Sequence, residues 1–413
     1  MEWLFRRRFA LLGGTTDLVD CSIAMKYLLD SHHMISGPEV EKYEKMFAGI
    51  IGVEHGYSFS SARVGFYGLL KILGIGNGDE VLLQVPTHIV VANAIRYSGA
   101  KPIFVDCLFD TFNMDIKDAE RKITRSTKAI VLQHTFGIPA DIDAALELAG
   151  RYKLIVIEDC VHSLGAIYKR RKVGSFGIAA FFSTEETKMI STTMGGMVVT
   201  DDSQLAEKIK AFQQSCPLPS PNLTRKFLIK LALYYLLTEP YVHRYTREIY
   251  DLLGRRQPLP TPTTKEERLG LRPEIYERRL SNAQAAIGIN QLMRLEENLS
   301  HRRRIAEIYH DGLKGKINNV FKVQDYCIPS FVRYPLLVSS RQTVVEKMNS
   351  YLVVGTWFTS VLEEAVSPEC GDYLMGSCPQ AEILSKNLIN LPTHMRVKVE
   401  DAGKIVKRLL SIK

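Results

Sequence analysis

Between Phe181 and Asp202 the chain reads FFSTEETKMISTTMGGMVVTDD. A hydroxyl, Ser183, stands five residues before a lysine, Lys188, and a Gly-Gly pair separates that lysine from an apolar strand. An isolated lysine is ordinarily a solvated surface charge. A lysine held inside a site has another use, because an amine with a lowered pKa forms a Schiff base with a carbonyl. Upstream, LIVIEDCVHSLGAIYKRRKVGSFG ends an apolar run on Glu158 and Asp159, with His162 three residues after the aspartate. Asp106 closes KPIFV in the same way. Ligands of open α/β sheets bind outside the carboxyl ends of the strands. A cofactor with a pyridine nitrogen, an aldehyde and a phosphate would need a carboxylate, an amine and a hydroxyl there. Asp159, Lys188 and Ser183 are of those types.

The elements that must position these groups are legible in the hydrophobic periodicity. PEVEKYEKMFAGIIGV and SARVGFYGLLKILGI carry apolar residues at helical spacing, and the second stops at the glycines of GNGDE. EVLLQV, KPIFVD, KAIVLQH and LIVIED are short continuous apolar runs, separated by helical patterns such as THIVVANAIRYSGA and DIDAALELAGRY. Continuous rather than alternating strands indicate a mainly parallel sheet covered on both faces. GIGNGD precedes a strand instead of opening a helix, so it is no dinucleotide fingerprint. His134 reads as a residue of the site floor or of the core. The spacing predicts a large α/β/α domain with an N-terminal arm over 1–215 and a helical insert and linker over 216–280. A smaller C-terminal α+β domain, opened by one long helix from Ser281, follows over 281–413.

Composition narrows the function classes. Hydrophobic residues make up 46% of the 413, enough for a sizeable core. The seven cysteines are scattered with no CxxC pair, which points to neither a metal site nor a disulfide framework and favours the cytoplasm. The net charge of +8 suits an anionic substrate, whereas no aromatic-interleaved basic stripe suggests nucleic acid. FLIKLALYYLL, Phe227–Leu237, is too short to span a bilayer, which needs ~20 apolar residues. It is a helix on the protein's own core or, with the rest of 224–256, a peripheral membrane contact.

Several separated blocks, in order, resemble the pyridoxal-phosphate (PLP) dependent sugar aminotransferases of the DegT/StrS family. They include LGIGNGDEVLL, VANAIRYSGAKPIFVD, QHTFGIPADIDA, IEDCVHSLGAIYKRRKVGSFG, FFSTEETK, TMGGM and AQAAIGINQL. The resemblance implies the type I PLP-dependent transferase fold, a homodimer, and transfer of an amino group, from glutamate by analogy, to a keto sugar carried on a nucleotide. It implies that Lys188 is the Schiff-base lysine and general base and that Asp159 pairs with the ring nitrogen. His162 would stand beside the ring's phenolic oxygen, His88 against the ring face, and Ser183, Ala62 and Arg63 at the phosphate. The chain departs from the family in three places. The family's SGT loop is Ser61-Ala62-Arg63, GEGG has become Thr193-Met194-Gly195-Gly196, and an asparagine that reaches the neighbouring subunit's phosphate is Glu277, two residues before Arg279. The segment GTWFTSVLEEAV is also unlike the nucleotide-sugar enzymes. These departures keep open an aminotransferase acting on a non-nucleotide ketone such as a cyclitol, and a degenerate sensor or membrane-associated scaffold. A sugar dehydratase is disfavoured, because histidine replaces the lysine in the relevant relatives.

Overall fold

A computed structural model describes residues 7–11, 14–252, 262–317 and 321–412. Its central sheet has seven strands: β1 (His55–Phe59), β2 (Glu80–Gln84), β3 (Lys101–Val105), β4 (Thr127–Gln133), β5 (Ile155–Asp159), β6 (Ala179–Ser183) and β7 (Gly196–Thr200). The spatial order is β1-β7-β6-β5-β4-β2-β3. The five strands β3, β2, β4, β5 and β6 run parallel, and β7 and β1 complete the edge in antiparallel pairings.

Successive strand residues feed two cores, which explains their continuous hydrophobicity. Val81, Leu83 and Val131 face one core, shared with the helices Ala62–Ile72 and Ile89–Ser98. Leu82, Ile130 and Leu132 face the other, shared with Glu39–Ile51, Ile142–Tyr152 and Asn282–Met293. The fold is α/β, as the periodicity predicts.

The expected single helix from Ser281 is two helices. Asn282–Met293 opens with a Ser281–Gln284 capping box and ends at Arg294, where Leu295–Leu313 begins. The first packs on Glu39–Ile51 so closely that a Cβ at Gly288 would lie 2.5 Å from the Tyr43 ring. It therefore belongs with the large sheet, and we draw the boundary of the small domain at Arg294. In that domain Tyr334–Leu337 pairs antiparallel with Leu388–Leu391 under helices that include Leu295–Leu313 and Val399–Leu410. The start of the N-terminal arm reaches this domain, while its helix Leu18–Leu29 packs on Asn282–Met293. The Phe9 N–H donates to the Tyr351 carbonyl (3.0 Å), and the Val353 N–H donates to that of Phe9 (2.9 Å).

The insert contributes the helices Pro221–Leu237 and Pro240–Leu252; residues 253–261 lie outside the described residues. Leu228 and Leu231 are buried against Ala24 and Tyr27 of the helix Leu18–Leu29. Among the described residues no helix is long and apolar enough to cross a membrane.

Candidate active site

The carboxyl ends of β5 and β6 place two of the groups. Asp159 is the last residue of β5, paired in register with Gln133 and Phe181, and Ser183 is the last of β6. The chain then loops through Lys188 and returns to β7. The Thr184 N–H donates to the Gly195 carbonyl (2.9 Å), and the Thr184 and Thr192 hydroxyls lie 2.7 Å apart. Asn298 holds the Met189 carbonyl at 2.6 Å and Gln284 that of Met194 at 2.6 Å. The loop that carries the lysine is thus fixed at its base and behind it.

The glycine pair is a matter of space. A Cβ at Gly195 would meet the Thr184 hydroxyl at 2.3 Å, and one at Gly196 would meet the Ala62 nitrogen at 2.2 Å. Only glycine lets β7 pass this close to the start of the helix Ala62–Ile72. Ser61 precedes that helix without capping it through its side chain, which leaves first-turn N–H groups for an anion.

All seven residues expected at the site line one cavity of about 370 Å³. Lys188 and Asp159 are buried. Burial lowers the Lys188 amine to about 8; the Arg333 charge adds to this, while Glu185 and Asp159 oppose it. Burial raises the Asp159 carboxyl to about 6, against a backbone hydrogen bond from Val161 and the Lys188 charge. One Asp159 oxygen accepts from the Val161 N–H (3.1 Å); the other, Oδ2, is buried with no partner.

His162 is sandwiched between Phe136 and Trp357, at centroid distances of 5.9 and 5.1 Å. Its Nδ1 accepts from the Phe136 N–H (3.4 Å), and burial holds it well below the usual histidine range, so it is neutral. His88 caps the helix Ile89–Ser98 through Nδ1, and its Nε2 lies 3.5 Å from Glu364. Arg63 reaches the cavity wall already engaged: its guanidinium donates to Glu267 (2.8 Å) and to the Pro262 carbonyl (3.2 Å). Glu277 is paired with Arg272, and Arg279 holds the Cys216 and Gln214 carbonyls.

Other candidates are structural. Asp106 accepts from the Gln380 and Ala381 N–H groups at the start of a small-domain helix. Glu158 accepts from the Gly174, Phe176 and Gly177 N–H groups and lies 3.1 Å from His134, which packs in the core.

Sequence reasoning missed two groups of lining residues. Trp357 and Arg333 come from the small domain: Lys188 Nζ lies 4.3 Å from the centre of the Trp357 indole and the Arg333 guanidinium carbon 4.0 Å from it. Trp357 falls within GTWFTSVLEEAV, so the departure of that segment was the available signal. The other group is Thr238 and His243 of the insert. The insert is tied to the lysine loop by Lys230, 2.8 Å from the buried Glu186, and by the Phe227 carbonyl, which accepts from the Thr193 hydroxyl (3.2 Å). Burial and the neighbouring Glu185 push Glu186 up to about 7, so Lys230 matters to its ionisation. Lys230→Ala is expected to loosen the insert from the lysine loop by ~1 kcal/mol, about a fivefold change in its opening equilibrium. Hydrogen exchange of the 221–237 amides would show this.

The residues fit PLP. The orphaned Asp159 oxygen suits a protonated ring nitrogen, the buried Lys188 amine an aldehyde, and the helix start with Ser183 a phosphate.

Comparison with known proteins agrees. The profile of the DegT/DnrJ/EryC1/StrS aminotransferase family matches residues 20–225 and 256–410, passing over most of the two insert helices. GDP-perosamine synthase of Escherichia coli O157:H7 is 34% identical over 320 residues, covering 77% of this chain and 74% of its own. The Caulobacter vibrioides enzyme of the same name is 29% identical over 381 residues, covering 90% of each. Among solved structures, DesV of S. venezuelae superposes with a TM-score of 0.73 at 25% identity, over 98% of both chains. The chain therefore belongs to the DegT/DnrJ/EryC1/StrS aminotransferase family and is a PLP-dependent aminotransferase with the fold of that group.

Proposed function

We propose that the protein transfers an amino group from an amino acid, with glutamate the expected donor, to a keto sugar carried on a nucleotide. The observation that carries this reading is the pairing of a buried amine, Lys188, with a buried carboxylate that has one oxygen free, Asp159, in a single cavity. The perosamine synthases among its relatives act in nucleotide-sugar chemistry, as their names state. Bound PLP supplies an electrophilic carbon and an electron sink.

The chain's own groups do the rest. Lys188 holds the cofactor and moves a proton at Nζ. Asp159 keeps a proton on the ring nitrogen. Ser183 and the Ala62 and Arg63 N–H groups receive the phosphate. The Arg63 guanidinium acts there only if it leaves Glu267, so it serves the wall first. His162, its plane fixed by stacking on Phe136 and Trp357, would stand beside the ring oxygen. His88, a lining residue of the same cavity, would stand against the ring face.

The experiment is the visible spectrum of the purified protein with PLP, followed by glutamate. A band that forms and then bleaches supports the reading, and no band at saturating PLP overturns it. Formation of the band should also follow the Lys188 amine. Its pKa is lowered to about 8, so the neutral nucleophile gains with pH up to that value and no further. The rate constant for band growth is expected to rise roughly tenfold per pH unit below about 8 and to level above it. Stopped-flow mixing at constant ionic strength would measure it.

The exposed Leu18, Val19, Met25 and Leu29 of the N-terminal helix support a homodimer, to be checked by light scattering. The exposed stripe Ile229, Leu233, Leu236 and Leu237, preceded by the exposed Arg225 and Lys226, supports a peripheral membrane contact of an otherwise cytoplasmic protein. Flotation with anionic vesicles that leaves the protein at the bottom of the gradient would remove the membrane contact.

A further inference from the structure

His88 is approached at both ring nitrogens. It caps the helix Ile89–Ser98, and its Nδ1 accepts from the Val90 N–H (3.4 Å). A nitrogen that accepts this bond carries no proton, which assigns the proton to Nε2. Nε2 in turn lies 3.5 Å from Oε2 of Glu364. The backbone builds this pairing across the two domains. Leu362 and Glu363 pair in parallel with Thr87 and His88, and the Thr87 N–H donates to the Val361 carbonyl (3.0 Å). From the other side, the Thr87 hydroxyl donates to Gln133 Oε1 (2.8 Å). Glu364 then leaves the strand with a φ of 65°, a left-handed conformation uncommon outside glycine. Such a residue persists where its surroundings hold it. Here the Ala365 N–H donates to the Leu362 carbonyl (3.2 Å) and the Val366 N–H to that of Arg268 (2.9 Å).

The two successive acids have different uses. Glu363 accepts from the N–H and the hydroxyl of Thr359. Glu364 lines the cavity, with Arg268 3.9 Å from its Oε2, and its charge acts on the Lys188 amine. It lies in GTWFTSVLEEAV, the segment unlike the nucleotide-sugar enzymes. An imidazole gripped at one nitrogen still turns about its side-chain bonds, whereas one gripped at both keeps a single plane and a single tautomer. We propose that Glu364 is the positioning residue of His88: it holds the Nε2–H and so fixes the flat face of the imidazole for stacking on the aromatic ring of a ligand. This rests on the aminotransferase reading, in which that ligand is the PLP ring, and adds to it a contact by which the small domain sets the ring face.

The first readout needs no cofactor. Imidazole nitrogen NMR spectra of the apoprotein, with isotopically labelled histidine, would be assigned by difference against His88→Asn, which keeps the helix cap. His88→Ser gives the same assignment if that variant does not fold. Wild type is expected to show His88 as the Nε2–H tautomer, and Glu364→Ala to show exchange between the two tautomers. The second readout is PLP affinity, followed by the visible band. Glu364→Ala is expected to bind PLP about tenfold more weakly than wild type. Glu364→Gln, whose amide oxygen also accepts from the Nε2–H, should recover most of that loss. In the His88→Asn background, Glu364→Ala should change the affinity by less than about twofold, because the carboxylate then has no imidazole to hold. Thermal melts establish that the variants are folded, and the wild-type tautomer is decisive even if the Glu364 variants are not. An Nδ1–H tautomer in wild type overturns the proposal. So does an unchanged PLP affinity in folded Glu364→Ala, and so does an equal loss with and without His88, which would make Glu364 a structural residue of the wall. An Nε2–H tautomer that depends on Glu364, in a protein that binds no PLP, would leave the pair standing and remove the aminotransferase reading.

Discussion

Lys188→Ala is expected to abolish the visible absorption band formed with PLP and to lower turnover by at least on the order of 10⁴-fold, while the protein still melts cooperatively. Two functions are lost at once. In the role proposed for it, the amine would be both the nucleophile that reaches an aldehyde and the base beside the reacting carbon; general-base removal alone costs about 10²–10⁴-fold. Its position is not adjustable, because the loop that carries it is closed at the Thr184–Thr192 pair and held from behind by Asn298 and Gln284. Among the described residues no other lysine lines the cavity to replace it. The fold should tolerate the change, since removing a buried amine relieves a desolvation cost. An added small primary amine is expected to restore part of the rate, which a merely unfolded variant would not show. A retained band would place the reactive amine elsewhere.

The same loop explains why this part of the site was legible in the sequence. Asp159, Ser183 and Lys188 sit on consecutive segments of one sheet, two of them at strand ends, so their order along the chain is close to their order in space. The sheet was legible for a related reason, because burial on both faces leaves the strands continuously apolar. Arg333 was not legible, and Trp357 was marked only by the departure of its segment. They arrive from a domain whose short strands carry little periodicity, and only tertiary packing brings them to Lys188. The break at Arg294 was hidden for the opposite reason. Asn282–Met293 is buried around nearly its whole circumference, so its pattern runs into that of the next helix without a polar face to mark the end. Arg63 shows a further limit. Its residue type suits phosphate, but its partner Glu267 is distant in sequence, and only the fold reveals that the charge is already matched.

Asp159→Asn is expected to make the cofactor-free protein more stable and the enzyme nearly inactive. The folded carboxyl has its pKa raised from 3.8 to about 6 by burial, so the folded state binds its proton more tightly than the unfolded chain does. The sign follows from this. Below about pH 4 both states are protonated and the aspartate costs nothing; the cost grows as pH rises to about 6 and is complete above it. At neutral pH a shift of this size corresponds to at most about 3 kcal/mol. For a chain of this length that is roughly 3 °C in melting temperature. Melts of the apoproteins should therefore show the variant ahead above pH 6, with the gap closing toward pH 4. Adding PLP should reverse the ranking. The ring nitrogen's proton then has the Asp159 carboxylate as its partner in the wild type, and binding stabilises that protein by mass action. The neutral amide cannot hold that proton, and turnover is expected to fall on the order of 10²–10⁴-fold. Equal melting of the two apoproteins at pH 7 would mean that Asp159 is not the strained, cofactor-awaiting group that its unpartnered oxygen indicates.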